Sequence, residues 1–245
     1  MKRIFVFLML FIGTAAVAHT INWYVDGNIF HTTTCESGDD ITPPTAPEKY
    51  GYTFKEWRTY TPIEYLESTR TQYIDTGYVP TYKTRIGFSF AFTNVSPDES
   101  TAIESVAILG SRTSGTWKTS KNQIFIACDS PYTGIYINSG TTRTFIQPSP
   151  IQANTFYKNT VDNTSMTETS TQPIYVYTMN NAGTPRGLAK IKIKYVQIYD
   201  EDLLIRDFIP VLDIKGTPCL YDKVEGKFYY NAGTGDFIAG PVIGE

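Results

Sequence analysis

A chain of 245 residues that is 41% hydrophobic and 18% charged carries enough apolar material for a folded core, which sets it apart from disordered and low-complexity sequences. Its formal charge is only −3, from 21 basic and 24 acidic residues, and its densest basic stretch, Lys190 to Lys194, alternates with Ile191 and Ile193 as a strand with one wet face. Nucleic acid is excluded as a partner, because binding a phosphate backbone requires clustered Lys and Arg.

The aromatic content is 14%, chiefly 18 Tyr and 14 Phe, and with the abundant Thr it favours half-buried pleated strands over helices. The first eighteen residues depart from that pattern. Lys2 and Arg3 precede the apolar run Ile4 to Ile12, and small residues follow to Ala16-Val17-Ala18. This is the layout of a signal peptide cleaved before His19, and the apolar run is too short to span about 30 Å of hydrocarbon. Cleavage removes two basic residues, leaves 19 against 24 acids, and moves the formal charge to −5. The expectation is a secreted protein, extracellular or periplasmic, with no stable membrane insertion after cleavage.

From residue 19 to 58 the pattern is that of a small β unit. Ile21, Trp23 and Val25 alternate with polar neighbours, Asp26-Gly27 marks a hairpin, and Ile29 resumes the apolar pattern toward Thr34. Pro43-Pro44-Thr45-Ala46-Pro47 interrupts any ladder, and Gly51-Tyr52-Thr53-Phe54-Lys55-Glu56-Trp57 supplies another short strand. Residues 59–62 form a polar connection. From residue 63 to 245 the spacing predicts strands at Arg85 to Phe92, Ala107 to Gly110, Gln123 to Cys128, Gly134 to Asn138, Arg143 to Ile146, Phe156 to Val161, Ile174 to Met179, Leu188 to Tyr199 and Asp207 to Leu212. Ser114 to Lys121 and Asn163 to Gln172 are polar and predict surface loops. The predicted fold is mainly β: a small β-grasp-like unit, then an antiparallel jelly-roll-like β-sandwich.

Two resemblances follow from these residues. The order of hairpin, prolines and Gly-Tyr-Thr-Phe-x-x-Trp between Trp23 and Trp57 resembles the internalin-type B-repeat, or Listeria–Bacteroides repeat, and implies a stalk or spacer module of bacterial surface proteins. The opening Glu64 to Thr69 with Gln72 to Gly77, and the closing Ile191 to Ile193, Tyr199-Asp200, Leu204 to Pro210 and Gly226 to Gly235, resemble concanavalin A-like, laminin-G-like domains. That likeness implies two stacked sheets and recognition of a glycan or a protein.

Histidine limits the chemistry. The chain has only His19 and His31, so the large domain has none, and a triad there is excluded. Cys35, Cys128 and Cys219 show no zinc-ligand spacing, and they leave one bridge, Cys128 to Cys219, open beside three free thiols. Asp200-Glu201-Asp202 lies between Tyr199 and Leu203 as a hairpin tip, either a plain solvated turn or, through Asp200 and Asp202, a contributor to calcium. Consecutive carboxylates diverge, so the pair of facing acids that a glycoside hydrolase needs is not spaced here. No other cofactor is expected. The aromatic candidates for ligand contact are Trp117, in Ser114-Gly115-Thr116-Trp117-Lys118, Tyr132, in Asp129 to Gly134, and Tyr82. Each has a plainer role open to it, plugging the end of its own sandwich. The leading expectation is a non-enzymatic binding or adhesion protein; the alternative is a structural component of an envelope or surface assembly that pairs through sheet edges.

Overall fold

The computed structural model describes residues 2–4, 8–10, 19–25, 28–36, 41–54, 57–93, 106–113, 121–128, 134–148, 151–163 and 165–243. Among these there are strands and turns and no helix, so the mainly β class and the antiparallel sandwich are as the sequence predicts.

The first five strands are Lys2–Ile4 (β1), Leu8–Leu10 (β2), His19–Val25 (β3), Asn28–Cys35 (β4) and Tyr52–Phe54 (β5). β1 runs parallel to β5, and β2, β3 and β4 form an antiparallel sheet in which Val25 faces Asn28. Trp23 is almost wholly buried, and its ring meets Trp57 edge-on at 4.9 Å between centroids. Trp57 also touches Phe30 and Phe54. Each indole can be packed this way because its N–H has a partner: Trp23 Nε1 donates to Thr33 Oγ1 at 2.9 Å and Trp57 Nε1 to the Pro44 carbonyl at 3.0 Å.

The remaining strands are Thr61–Pro62 (β6), Leu66–Glu67 (β7), Ile74–Asp75 (β8), Thr84–Phe92 (β9), Val106–Arg112 (β10), Ile124–Cys128 (β11), Gly134–Ser139 (β12), Thr142–Pro148 (β13), Tyr157–Asp162 (β14), Tyr175–Val176 (β15), Met179–Asn181 (β16), Thr184–Arg186 (β17), Ile191–Asp200 (β18), Leu203–Leu212 (β19), Pro218–Asp222 (β20), Lys227–Tyr229 (β21) and Ile238–Ala239 (β22). One sheet has the order β13-β12-β11-β10-β15-β8, with β16 and β17 attached beside β10. The other runs β14-β9-β18-β19-β20-β21, with β6 on β19 and with β7 and β22 beside β18. Consequently β13 and β14 are edge strands, and the chain passes directly from one to the other.

Alternation fills the space between the sheets. Ile86, Phe88, Phe90 and Phe92 of β9 join Ile191, Ile193, Val196 and Ile198 of β18 in the main core, together with Ile124, Ile126, Ile135 and Ile137 from the opposite sheet. The switch in β18 from odd to even inward positions has a visible cause, a register shift between Ile193 and Tyr195 against β9. The other face of the β10–β12 meander is also covered: Ala107, Phe125, Ala127, Tyr136 and Met179 form a second buried cluster.

Several boundaries differ from the sequence reading. Thr61 and Pro62, assigned to the connection, pair with Leu212 and Val211 and so belong to the larger sheet. The single strand expected over Ile174 to Met179 is broken at Tyr177, whose φ of 73° is incompatible with a ladder. In exchange its fully buried hydroxyl donates to the Leu66 carbonyl at 2.7 Å, and burial holds its pKa well above the ordinary tyrosine value. The strand expected from Asp207 starts at Leu203. The described residues of Asn163 to Gln172 form no strand, as predicted, yet the segment is not simply a surface loop: Asn163, Met166 and Ser170 are buried. The Cys128–Cys219 bridge is not formed. No disulfide joins the three cysteines, with Cys128 in β11 of one sheet and Cys219 in β20 of the other.

Candidate functional site

Tyr82 and the Asp200-Glu201-Asp202 tip, more than a hundred residues apart in sequence, meet at one end of the sandwich. The β9–β18 ladder does this, since its antiparallel register carries Asp200 opposite Thr84. Tyr82 is the second residue of a turn closed by the Thr84 N–H donating to the Thr81 carbonyl at 3.2 Å. The turn is held from three directions. Thr81 Oγ1 donates to Asp200 Oδ1 at 3.0 Å, the Glu201 N–H donates to the Lys83 carbonyl at 3.1 Å, and Asn163 Nδ2 donates to the Thr81 carbonyl at 2.6 Å. Asn163 is fixed in turn by Ser139 Oγ, which donates to its Oδ1. Tyr82 remains 57% exposed on this braced turn.

Beside it lies a cleft of about 430 Å³ lined by Tyr82, Lys83, Arg85, Asp162, Glu201 and Asp202, with Thr84, Asn163 and Met166 completing the wall. Lys83 is ion-paired with Glu201, and that contact holds its ammonium above the ordinary lysine pKa, through the hydrogen bond first and the charge second. Arg85 lies over the Tyr199 ring at 4.5 Å from its centroid and reaches Asp202 at 3.8 Å. Lys83 Nζ also stands over the Tyr82 ring at 5.7 Å from its centroid, so the cleft presents a partly covered aromatic ring, carboxylate oxygens that accept hydrogen bonds and cationic nitrogens that donate them. Such a set is suited to a polyhydroxylated ligand.

The two aspartates considered for calcium have different partners. Asp200 receives the Thr81 hydroxyl, whereas the fully exposed Asp202 faces the Arg85 guanidinium. A guanidinium beside a carboxylate competes with a cation for it. Among the described residues no three His, Cys, Asp or Glu side chains are gathered as a metal would need. Trp117 and Tyr132, the other two aromatic candidates, lie outside the described residues.

Sequence reading missed Lys83, Arg85, Asp162 and Asn163. None sits in a local motif, and each enters the cleft through strand register alone. A weak signal existed for Lys83 and Arg85, which stand just before and at the start of a predicted strand, next to an aromatic. Compared with known proteins, the chain matches no family model, and no curated protein or solved structure is significantly similar to it.

Proposed function

We propose that this chain is a secreted, non-enzymatic binding protein whose sandwich recognises a glycan at the Tyr82 end, with the residue 19–58 unit as a positioning element. One observation carries the reading: an aromatic residue more than half exposed is fixed on a turn braced from three sides, over a cleft of acceptors and donors. A ring with only a solvent role has no need of such bracing, whereas a stacking platform gains affinity from being ordered before the ligand arrives. The pairing of Glu201 and Asp202 with Lys83 and Arg85 favours binding over acid–base work, because both carboxylates already have cationic partners.

Secretion rests on the leader-like residues 1–18. In the full chain Lys2–Ile4 pairs with Tyr52–Phe54 and Leu8–Leu10 with Ile21 to Trp23, so cleavage before His19 removes β1 and β2 and leaves β3, β4 and β5. Mass measurement of the exported protein is expected to give an N-terminus at His19.

The decisive experiment is a glycan-array screen of the full chain and of Tyr82→Ala. Saturable binding to a defined glycan, weakened about three- to tenfold by the substitution while the thermal midpoint stays unchanged, is the expected result. Binding that Tyr82→Ala leaves intact places recognition elsewhere, and silence on the array from a folded chain removes the reading.

A further inference from the structure

Two further cavities lie beside the cleft at Tyr82. Asp162, the last residue of β14, lines both this cleft and a second cavity of about 380 Å³ that runs between the edge strands β13 and β14. The second cavity shares Ile146 and Asn159 with a third, of about 230 Å³, that reaches Phe156 and Lys158. The three cavities succeed one another along β14 from Asp162 back to Tyr157, each sharing lining residues with the next. Six residues of strand span about 20 Å, longer than a monosaccharide or a disaccharide.

The lining chemistry narrows the guest. Hydroxyl and amide side chains, including Thr142, Thr144 and Asn159, stand among apolar ones, while the neighbouring Phe145 ring turns to the other face of β13, edge-on to Tyr136 at 6.1 Å between centroids. Among the described lining residues, three cations (Lys83, Arg85 and Lys158) meet three anions (Asp162, Glu201 and Asp202). A groove with no net charge has no electrostatic preference for a sulfated or uronic acid chain.

A groove between sheet edges also suggests a peptide strand added to β14, and the backbone speaks against it. The Asn163 N–H donates to the Thr84 carbonyl, which sets the parity of the ladder: Tyr157, Asn159 and Val161 bond toward β9, and Lys158, Thr160 and Asp162 turn outward. The middle outward donor, Thr160 N–H, is already taken by Asn159 Oδ1 at 2.8 Å. An incoming strand would lose the central bond of its ladder.

We propose that these cavities form one groove that binds an uncharged linear glycan of several sugar units, laid along β14 with Tyr82 stacking at one end. This rests on the glycan-binding reading above and adds chain length, charge and path to it. The test is calorimetric titration of the full chain with cello-, manno-, xylo- and malto-oligosaccharides of one to six units, with hexameric oligogalacturonate as the anionic counterpart. One neutral series is expected to gain at least about tenfold in affinity from dimer to hexamer. Thr144→Arg, which puts bulk and charge into the groove from an exposed position, is expected to abolish that gain. Equal affinity for dimer and hexamer, preference for oligogalacturonate, or a length gain that survives Thr144→Arg overturns the inference and spares the glycan reading. Binding of none of these sugars at millimolar concentration overturns both.

Discussion

Truncation of Arg206 is the substitution whose cost follows most directly from the structure. Asp222 has no exposed side-chain surface; its Oδ1 accepts the N–H groups of Asp207 at 2.9 Å and Val224 at 3.0 Å. Its Oδ2 has a charged neighbour in Arg206 Nε at 3.4 Å, a contact of charges without the alignment of a hydrogen bond. Arg206 is itself 14% exposed, and it also reaches Glu225 Oε1 at 2.6 Å and the Ile205 carbonyl at 2.9 Å. In Arg206→Ala the carboxylate keeps both N–H donors and loses its counter-charge where water does not enter. Breaking one side of a buried pair costs about 3–5 kcal/mol, and the partial exposure of Glu225 puts this case near about 3 kcal/mol. For a chain of this size that is a fall in thermal midpoint of roughly 6–12 °C. Asp222→Asn keeps an acceptor for both N–H groups and leaves Arg206 on Glu225, so it should cost less, about 1–2 kcal/mol. Urea denaturation of the two variants and the parent, with the slope checked for constancy, separates the cases. A loss below about 1 kcal/mol for Arg206→Ala, or an equal loss for Asp222→Asn, refutes the account of Asp222 as a buried charge held by its partner.

Three other outcomes are expected. A Cβ at Gly110, where φ is 142°, would lie 2.2 Å from Phe125 Cβ, so Gly110→Ala should cost at least about 2 kcal/mol in the same urea assay. Gly216→Ala, at φ 80° with nothing within 4 Å, should cost only about 1 kcal/mol, which separates clash from backbone strain. Burial, aided by the Asp213 charge, pushes the Cys219 thiol up to about 12; a maleimide at pH 8 should therefore label half-buried Cys35 first and reach Cys128 and Cys219 only on unfolding. Equal labelling rates for all three in the native chain would refute this. Tyr229 is pushed up to about 12 by burial and by its hydrogen bond to Glu225. The folded state therefore holds that proton more tightly than the unfolded state, where tyrosine titrates near pH 10. The contribution is whole below about pH 10 and is lost as pH rises toward 12, so Tyr229→Phe should decline less steeply in stability over that window, measured by urea midpoints at pH 9, 10 and 11.

How much could be read beforehand depended on whether the signal was local. β9 and β18 were legible because Ile-Gly-Phe-Ser-Phe-Ala-Phe and Ile-Lys-Ile-Lys alternate with period two. The strands Leu66–Glu67 and Ile74–Asp75 were not, since two residues carry no period, and Thr61–Pro62 was hidden because a proline reads as a break. Tyr177 looked like the middle of a strand; only the buried acceptor at Leu66 explains why it adopts a positive φ. The unbroken apolar run of β11, Ile124–Cys128, did hold a cue, for a strand with no polar alternation is covered on both faces, and Phe125 and Ala127 pack in the second cluster. The candidate site divides in the same way. The exposure of Tyr82 and the hairpin tip at Asp200 to Asp202 were visible as turn chemistry, but their meeting depends on the pairing of strands that begin at Thr84 and end at Asp200.

The larger domain is fastened at its own beginning and end. Ile63 bridges to Val242, Glu64 N–H donates to the Pro241 carbonyl, Leu66 and Glu67 pair with Ala239 and Ile238, and the Ile243 N–H closes on the Pro62 carbonyl. The ladder is antiparallel, so its two free ends leave side by side. Tension between them acts along the hydrogen bonds and parts them one at a time, like a zipper, instead of shearing all of them together. Force applied across these two ends is expected to open this ladder more readily than one loaded in shear.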